Sequence, residues 1–223
     1  MWLPAILFFL AWVLFALYPE PADLVTSIYR VFRPPVDAEY ARQHAHLFAD
    51  LNETAEIDLR VNELFPYQYD WVTFGKPWYF PTVAEAFSHM AGDCKTRLVV
   101  LASVLDSRNT PYHIAVSPTH VWIEYDGKRE STIENAQVAF FATGGEQTLA
   151  LPAQFDLRRS ARSFWTAFWH YMPSHKKLSL AVGFVLALAI GLAGQVLSIV
   201  HRRSRLIRSR RNPLIAEDVS AAL

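Results

Sequence analysis

The sequence predicts an α+β domain in which a helix carrying the only cysteine packs on a small antiparallel sheet, with a transmembrane helix on either side. Three observations lead there. Apolar segments frame the 223 residues, a helical period starts at Cys94, and an alternating strand pattern starts at His120. With 52% hydrophobic and 14% aromatic residues, the chain can build one real core but not two large ones.

The first segment, residues 1–19, "MWLPAILFFLAWVLFALYP", carries no charged side chain. It suits a retained anchor or a signal segment, and "FALYPEPAD" offers no small-x-small cleavage site. The second, residues 178–200, has Gln195 as its one strongly polar side chain. Its length gives roughly 34 Å of helix, enough to cross a hydrocarbon layer of about 30 Å. "HRRSRLIRSRR" follows, and such a run marks the cytoplasmic side, making 201–223 a basic cytoplasmic tail. Residues 20–163 then form the extracytoplasmic domain. Residues 164–177 form an interfacial segment in which Trp165, Phe168, Trp169 and Tyr171 favour the headgroup layer. Gly183, Gly191 and Gly194 are read as ordinary glycines of a span rather than as a packing face.

Charge narrows the function. Residues 19–177 carry 15 Lys+Arg against 19 Asp+Glu, which gives no basic footprint for nucleic acid. A single cysteine excludes an internal disulfide and any multi-cysteine zinc site. No metal or cofactor is expected. Cys94 is left as a buried structural thiol, an intermolecular pair or a nucleophile.

Within the domain, residues 36–64 are mostly strong helix formers with apolar positions at helical intervals, and predict one or two helices broken near Asn52-Glu53-Thr54. His44 and His46, two apart, point to different sides of a helix and are read as surface residues. The aromatic stretch from Phe65 to Phe80, punctuated by Pro66, Gly75 and Pro77, is an ordered loop. "PTVAEAF" has Thr82 and Glu85 at capping-box spacing.

From Cys94, "CKTRLVVLASVLDS" places Leu98, Leu101, Ala102 and Leu105 on the face of the thiol. Asp93 is the expected N-cap, and Gly92 the residue that lets the backbone turn into the helix. Free N–H groups at a helix start stabilise a thiolate and donate to an oxyanion. "YHIAVS" has strand character, and in "HVWIEY" His120, Trp122 and Glu124 alternate with Val121, Ile123 and Tyr125. "YDGK" signals a hairpin. A three-residue loop with Gly127 left-handed sets Glu134 beside His120, on the neighbouring strand. A two-residue loop selects Asn135 instead.

Cys94, His120 and an acid form a nucleophile, a base and an orienting group. These residues resemble the transglutaminase-like cysteine superfamily, with its papain-like fold, in bacterial membrane-anchored form. The resemblance rests on the Gly-Asp-Cys helix start in "AGDCKTRLVVLASVL", on His-x-Trp-x-Glu in "HVWIEY" and on the tyrosine-rich approach "YQYDWVTFGKPWYFPTVAEAF". It spans roughly residues 60–136. It implies Cys94 as nucleophile, His120 as base and a third acid; the family usually has aspartate there, where this chain offers Glu134. Trp78 and Tyr79 are candidates for an oxyanion donor or for substrate positioning, as is Asn135. The expected function is a membrane-tethered hydrolase or acyltransferase acting on peptide or protein amides outside the cytoplasm, at a bacterial inner membrane. The alternative is a catalytically silent module that binds an envelope protein partner.

Overall fold

The computed structural model describes residues 2–117, 120–129, 134, 141–143 and 157–220. The chain divides into two compact units, Met1–Pro19 with Ser174–Leu223, and Glu20–Pro173.

In the first unit, α1 (Leu3–Leu17) packs along the long last helix of the chain, α9 (Ser174–Ser220). Of α9, Ser174–Ile199 is long and apolar enough to cross a membrane. At 15 residues, α1 is short for an independent span. Trp12 lies against Gly183, where an added Cβ would come within 2.1 Å of the indole, and Trp2 lies against Gly191. These two glycines are therefore packing positions, contrary to the plain reading above, because only a missing side chain lets each indole reach the backbone. Trp12 Nε1 donates to the Ser179 carbonyl (2.8 Å) and Lys176 Nζ to the Ala16 carbonyl (2.6 Å). The end of α1 thus lies beside the start of α9.

The second unit runs α2 (Ala22–Phe32), α3 (Ala38–Gln43), a 3-10 turn (Ala45–Phe48), α4 (Thr54–Leu64), α5 (Asp70–Thr73), α6 (Val83–His89) and α7 (Cys94–Ser107). Then come β1 (His113–Val116), β2 (Val121–Glu124), β3 (Phe141–Thr143), α8 (Leu157–Trp165) and a π-helical turn (Thr166–His170). Both capping expectations hold. Thr82 accepts from the Glu85 N–H and Asp93 from the Lys95 N–H. The break near Asn52 separates the 3-10 turn from α4. His44 departs from its surface reading: its ring stacks on Phe87 (4.3 Å) and Tyr40 (4.8 Å).

Helix α7 is the centre of this unit, with α3, α4, α6 and β2 packed around it. Every residue from Leu98 to Leu105 is buried, so the helix is enclosed well beyond the single face its sequence shows. Phe48, Ile57, Val61, Phe65, Phe80, Leu98, Val99 and Leu105 form the core around it. Each such side chain contributes roughly 1.5–3 kcal/mol when fully buried.

The antiparallel sheet has the order β2-β1-β3. β1 pairs with β2 from His113↔Glu124 to Val116↔Val121. Gly127 has φ 81°, the left-handed conformation that the three-residue loop requires. Residues 130–133 and 135–140 lie outside the described residues, so the pairing of that hairpin is not part of the described sheet. Glu134 itself sits in a bend rather than in a strand. The arrangement is α+β.

Candidate active site

Cys94 is the first residue of α7, and three features place it. Asp93 caps the helix. The segment before α5 is tied to Gly92, whose N–H donates to the Pro66 carbonyl (3.2 Å) and whose carbonyl accepts from the Gln68 N–H (2.9 Å). Gly92 is also needed for space. A Cβ there would fall 2.1 Å from Thr96 Oγ1, on a side chain that is completely buried. Its backbone lies outside the left-handed region, so close approach rather than a left-handed turn explains the glycine. Gly92→Ala is expected to lower stability by about 1–3 kcal/mol through overpacking. Thermal unfolding tests this, and an unchanged melting temperature would show that Thr96 yields freely.

Beneath the helix start lies a buried ionic group. Lys95 Nζ pairs with Asp70 Oδ2 (2.9 Å) and with Asp93 Oδ2. Asp70 Oδ2 also accepts the Tyr79 N–H (2.8 Å), and Asp70 Oδ1 is buried with no partner among the described residues. Burial, and after it repulsion from Asp93, push Asp70 up to about 7 against the pull of Lys95. Burial works against the Lys95 ammonium, but the two carboxylates outweigh it and hold the group above its usual range.

His120 enters from the turn between β1 and β2. Its N–H donates to Ser117 Oγ (3.0 Å) and its carbonyl accepts the Ser117 N–H (2.7 Å), which anchors its backbone just ahead of β2. The ring stacks on Trp122 (5.7 Å, 13° between planes). His120 Nε2 lies 2.6 Å from Glu134 Oε1, and Glu134 Oε2 pairs with Lys128 Nζ at 2.9 Å. Lys128 Nζ also donates to the Ile123 carbonyl (2.5 Å). With Nε2 engaged by the carboxylate, Nδ1 is the ring nitrogen left for the thiol.

Burial disfavours the His120 cation, yet the Cys94 sulfur and Glu134 more than compensate and lift it to about 9. Burial alone would raise Glu134; hydrogen bonds from His120 and Lys128 bring it down to about 2 instead. A protonated imidazole held against a carboxylate on one side and a sulfur on the other is the arrangement that thiol chemistry uses.

Cys94, His120 and Glu134 line a single cavity of about 110 Å³, together with Tyr67, Arg97 and Trp122. Compared with protein-family models, curated proteins and solved structures, the chain matches none. The site therefore rests on its own chemistry.

Of the other sequence candidates, Trp78 and Tyr79 are not among the residues lining this cavity. Tyr79 is buried with its hydroxyl on Glu85 (2.7 Å), and the Trp78 ring lies 5.9 Å from Lys95 Nζ. Both serve the ionic group behind the helix start, because the loop carrying them folds down onto Asp70. Asn135 lies outside the described residues. No group of three or more metal-ligating side chains occurs among the described residues.

Tyr67 is the residue that sequence reasoning missed. The backbone bonds at Gly92 hold its segment beside the start of α7, and the Arg97 guanidinium lies 5.6 Å from its ring. Burial, with the Cys94 and Asp93 charges, pushes its hydroxyl well above the ordinary range, so it keeps its proton as a donor. Only the pairing between residues 66–68 and Gly92 reveals it, and no sequence period encodes that pairing.

Proposed function

We propose that the chain is a membrane-tethered cysteine hydrolase or acyltransferase of the transglutaminase-like, papain-like type, acting on amide carbonyls. The observation that carries this reading is the 2.6 Å contact of His120 with Glu134 at a cavity shared with Cys94. The basic run after residue 201 supports a cytoplasmic tail, with the domain on the extracytoplasmic face of a bacterial inner membrane.

In this mechanism the proton on His120 Nδ1 is the one the Cys94 thiol has already given up, and the sulfur attacks the carbonyl carbon to form a C–S bond. Negative charge on the carbonyl oxygen is met by the Cys94 backbone N–H at the start of α7 and by the Tyr67 hydroxyl. The His120 cation protonates the leaving amine as the C–N bond breaks. Water then attacks the thioester with His120 taking its proton, and the acid and the free thiol are released. Glu134 fixes the ring orientation and stabilises its cation.

The test needs no natural substrate. Mixed with p-nitrophenyl acetate, the full-length chain in detergent is expected to release one rapid equivalent of p-nitrophenolate per Cys94. Cys94→Ala should abolish this burst. Tyr67→Phe should slow it by about 10²–10³-fold, the cost of removing one oxyanion donor. Its alkylation by iodoacetamide, which develops no oxyanion, should be unchanged. A burst that survives Cys94→Ala, or none at all, favours the silent binding module.

A further inference from the structure

Helix α2 is amphipathic, but it is attached the wrong way round for water. Its polar side chains hold it to the domain. Ser27 is completely buried and its Oγ accepts the Phe80 N–H (3.1 Å). Arg30 donates to the Phe80 carbonyl (2.7 Å) and pairs with Glu85 (3.6 Å), and Asp23 pairs with Lys76 (2.7 Å). The opposite stripe, Val25, Ile28, Tyr29 and Phe32 at i, i+3, i+4 and i+7, is 68%, 48%, 56% and 69% exposed. A surface helix normally turns its apolar stripe inward. This one spends its polar groups on the domain and leaves the apolar stripe outside.

We propose that this stripe is a lipid-docking face, lying in the headgroup–acyl boundary of the membrane crossed by Ser174–Ile199. The inference rests on reading that segment as a span. Chain length argues for lipid over any other occupant. The end of α1 lies beside the start of α9, with Lys176 bonded to the Ala16 carbonyl, which puts both at the membrane surface. Only Tyr18–Pro21 separate α1 from α2, and five Cα steps reach at most about 18 Å. The stripe is thus tethered close to the bilayer. Side-chain chemistry agrees: Arg33 contacts the Tyr29 hydroxyl (3.3 Å) and lies 5.7 Å from its ring. An aromatic with a polar tip beside an arginine is the composition that settles at headgroups.

The chain also leaves the domain through a segment with exposed aromatics. Phe164, Trp165 and Trp169 are 67%, 62% and 37% exposed, and Pro173 directly precedes α9. Both chain passages between domain and membrane segments therefore carry outward apolar side chains.

Single nitroxide labels test this in the full chain, carrying Cys94→Ser and reconstituted in nanodiscs of phosphatidylethanolamine and phosphatidylglycerol. Labels go at Ile28→Cys, at Leu188→Cys in α9 and at Glu39→Cys on the exposed side of α3. The ratio of oxygen to nickel-chelate accessibility at position 28 should be several-fold above that at 39 and approach that at 188. If position 28 matches position 39 while 188 reads as lipid, the docking face is refuted and the span stands. Spin–spin broadening at position 28 would assign the stripe to a second copy and also refute it. Should position 188 be open to nickel chelate, the span fails and takes the inference with it.

Discussion

Replacing His120 with alanine should slow iodoacetamide alkylation of Cys94 at pH 6 by about 10²–10³-fold, within the range of a positioned acid–base group. The wild-type rate at pH 6 should exceed that of an unstructured peptide thiol, because Cys94 and Glu134 together lift His120 to about 9 despite burial, which leaves a cation beside the sulfur at that pH. In His120→Ala that excess should disappear. Glu134→Gln keeps the size of the side chain but removes the charge that orients Nε2, so an intermediate loss is expected.

Stability should follow the same pair. The raised His120 contributes stability that is full below its unfolded value of 6.5 and is lost as pH rises through about 9. The lowered Glu134 contributes above its unfolded value of 4.5, and that part is lost as pH falls towards 2. The contribution of the pair to the melting temperature should therefore peak between pH 4.5 and 6.5. An alkylation rate at pH 6 no faster than that of a free thiol, and indifferent to His120→Ala, would refute the proposed activation.

Replacing Lys95 with methionine should destabilise the domain by about 3–5 kcal/mol, the cost of stranding buried charge. Asp70 and Asp93 would keep their places under the helix start without the cation that joins them. A domain of this size should lose on the order of 10 °C in melting temperature. The sign of its pH dependence is set by Asp70. A carboxyl raised from 3.8 to about 7 gives stability that is complete below 3.8 and is lost as pH rises through 7. Without Lys95 that loss should extend to higher pH, so the variant melts closest to wild type near pH 4. Adding Asp70→Asn should recover part of the deficit at pH 8, since it removes the second carboxylate. No deficit at pH 8, or a deficit blind to Asp70→Asn, would show that the buried group does not act as a unit.

Much of the site can be read along the chain wherever a local rule operates. Asp93 caps α7 because a short carboxylate before a helix accepts a free N–H, and Thr82 with Glu85 closes a capping box for the same local reason. Gly127 adopts its left-handed turn where the register argument needs it. Glu134 reaches His120 as expected, although from a bend rather than a strand. Other features obey no local rule. Gly92 looks like a turn residue but serves the bulk of Thr96, one helical turn on. Gly183 and Gly191 look incidental until Trp12 and Trp2 are seen to fill them. Trp78 and Tyr79 stand close to Cys94 in sequence, yet fold onto the ionic group behind it.

The sequence by itself determined the α+β pattern, the apolar segment that can cross a membrane and the helix that begins at Cys94, and it offered His120 with either Glu134 or Asn135 as partners for the thiol. Each follows from a periodicity, a capping or turn rule, or an uncharged run of sufficient length, all of them local properties of the chain. Only the tertiary structure decided that Tyr67 stands at the thiol, that Lys95 is buried between two carboxylates and that α2 faces outward with its apolar side. Those outcomes depend on which surfaces meet across tens of residues, and burial and pairing energies settle that only when the whole chain packs.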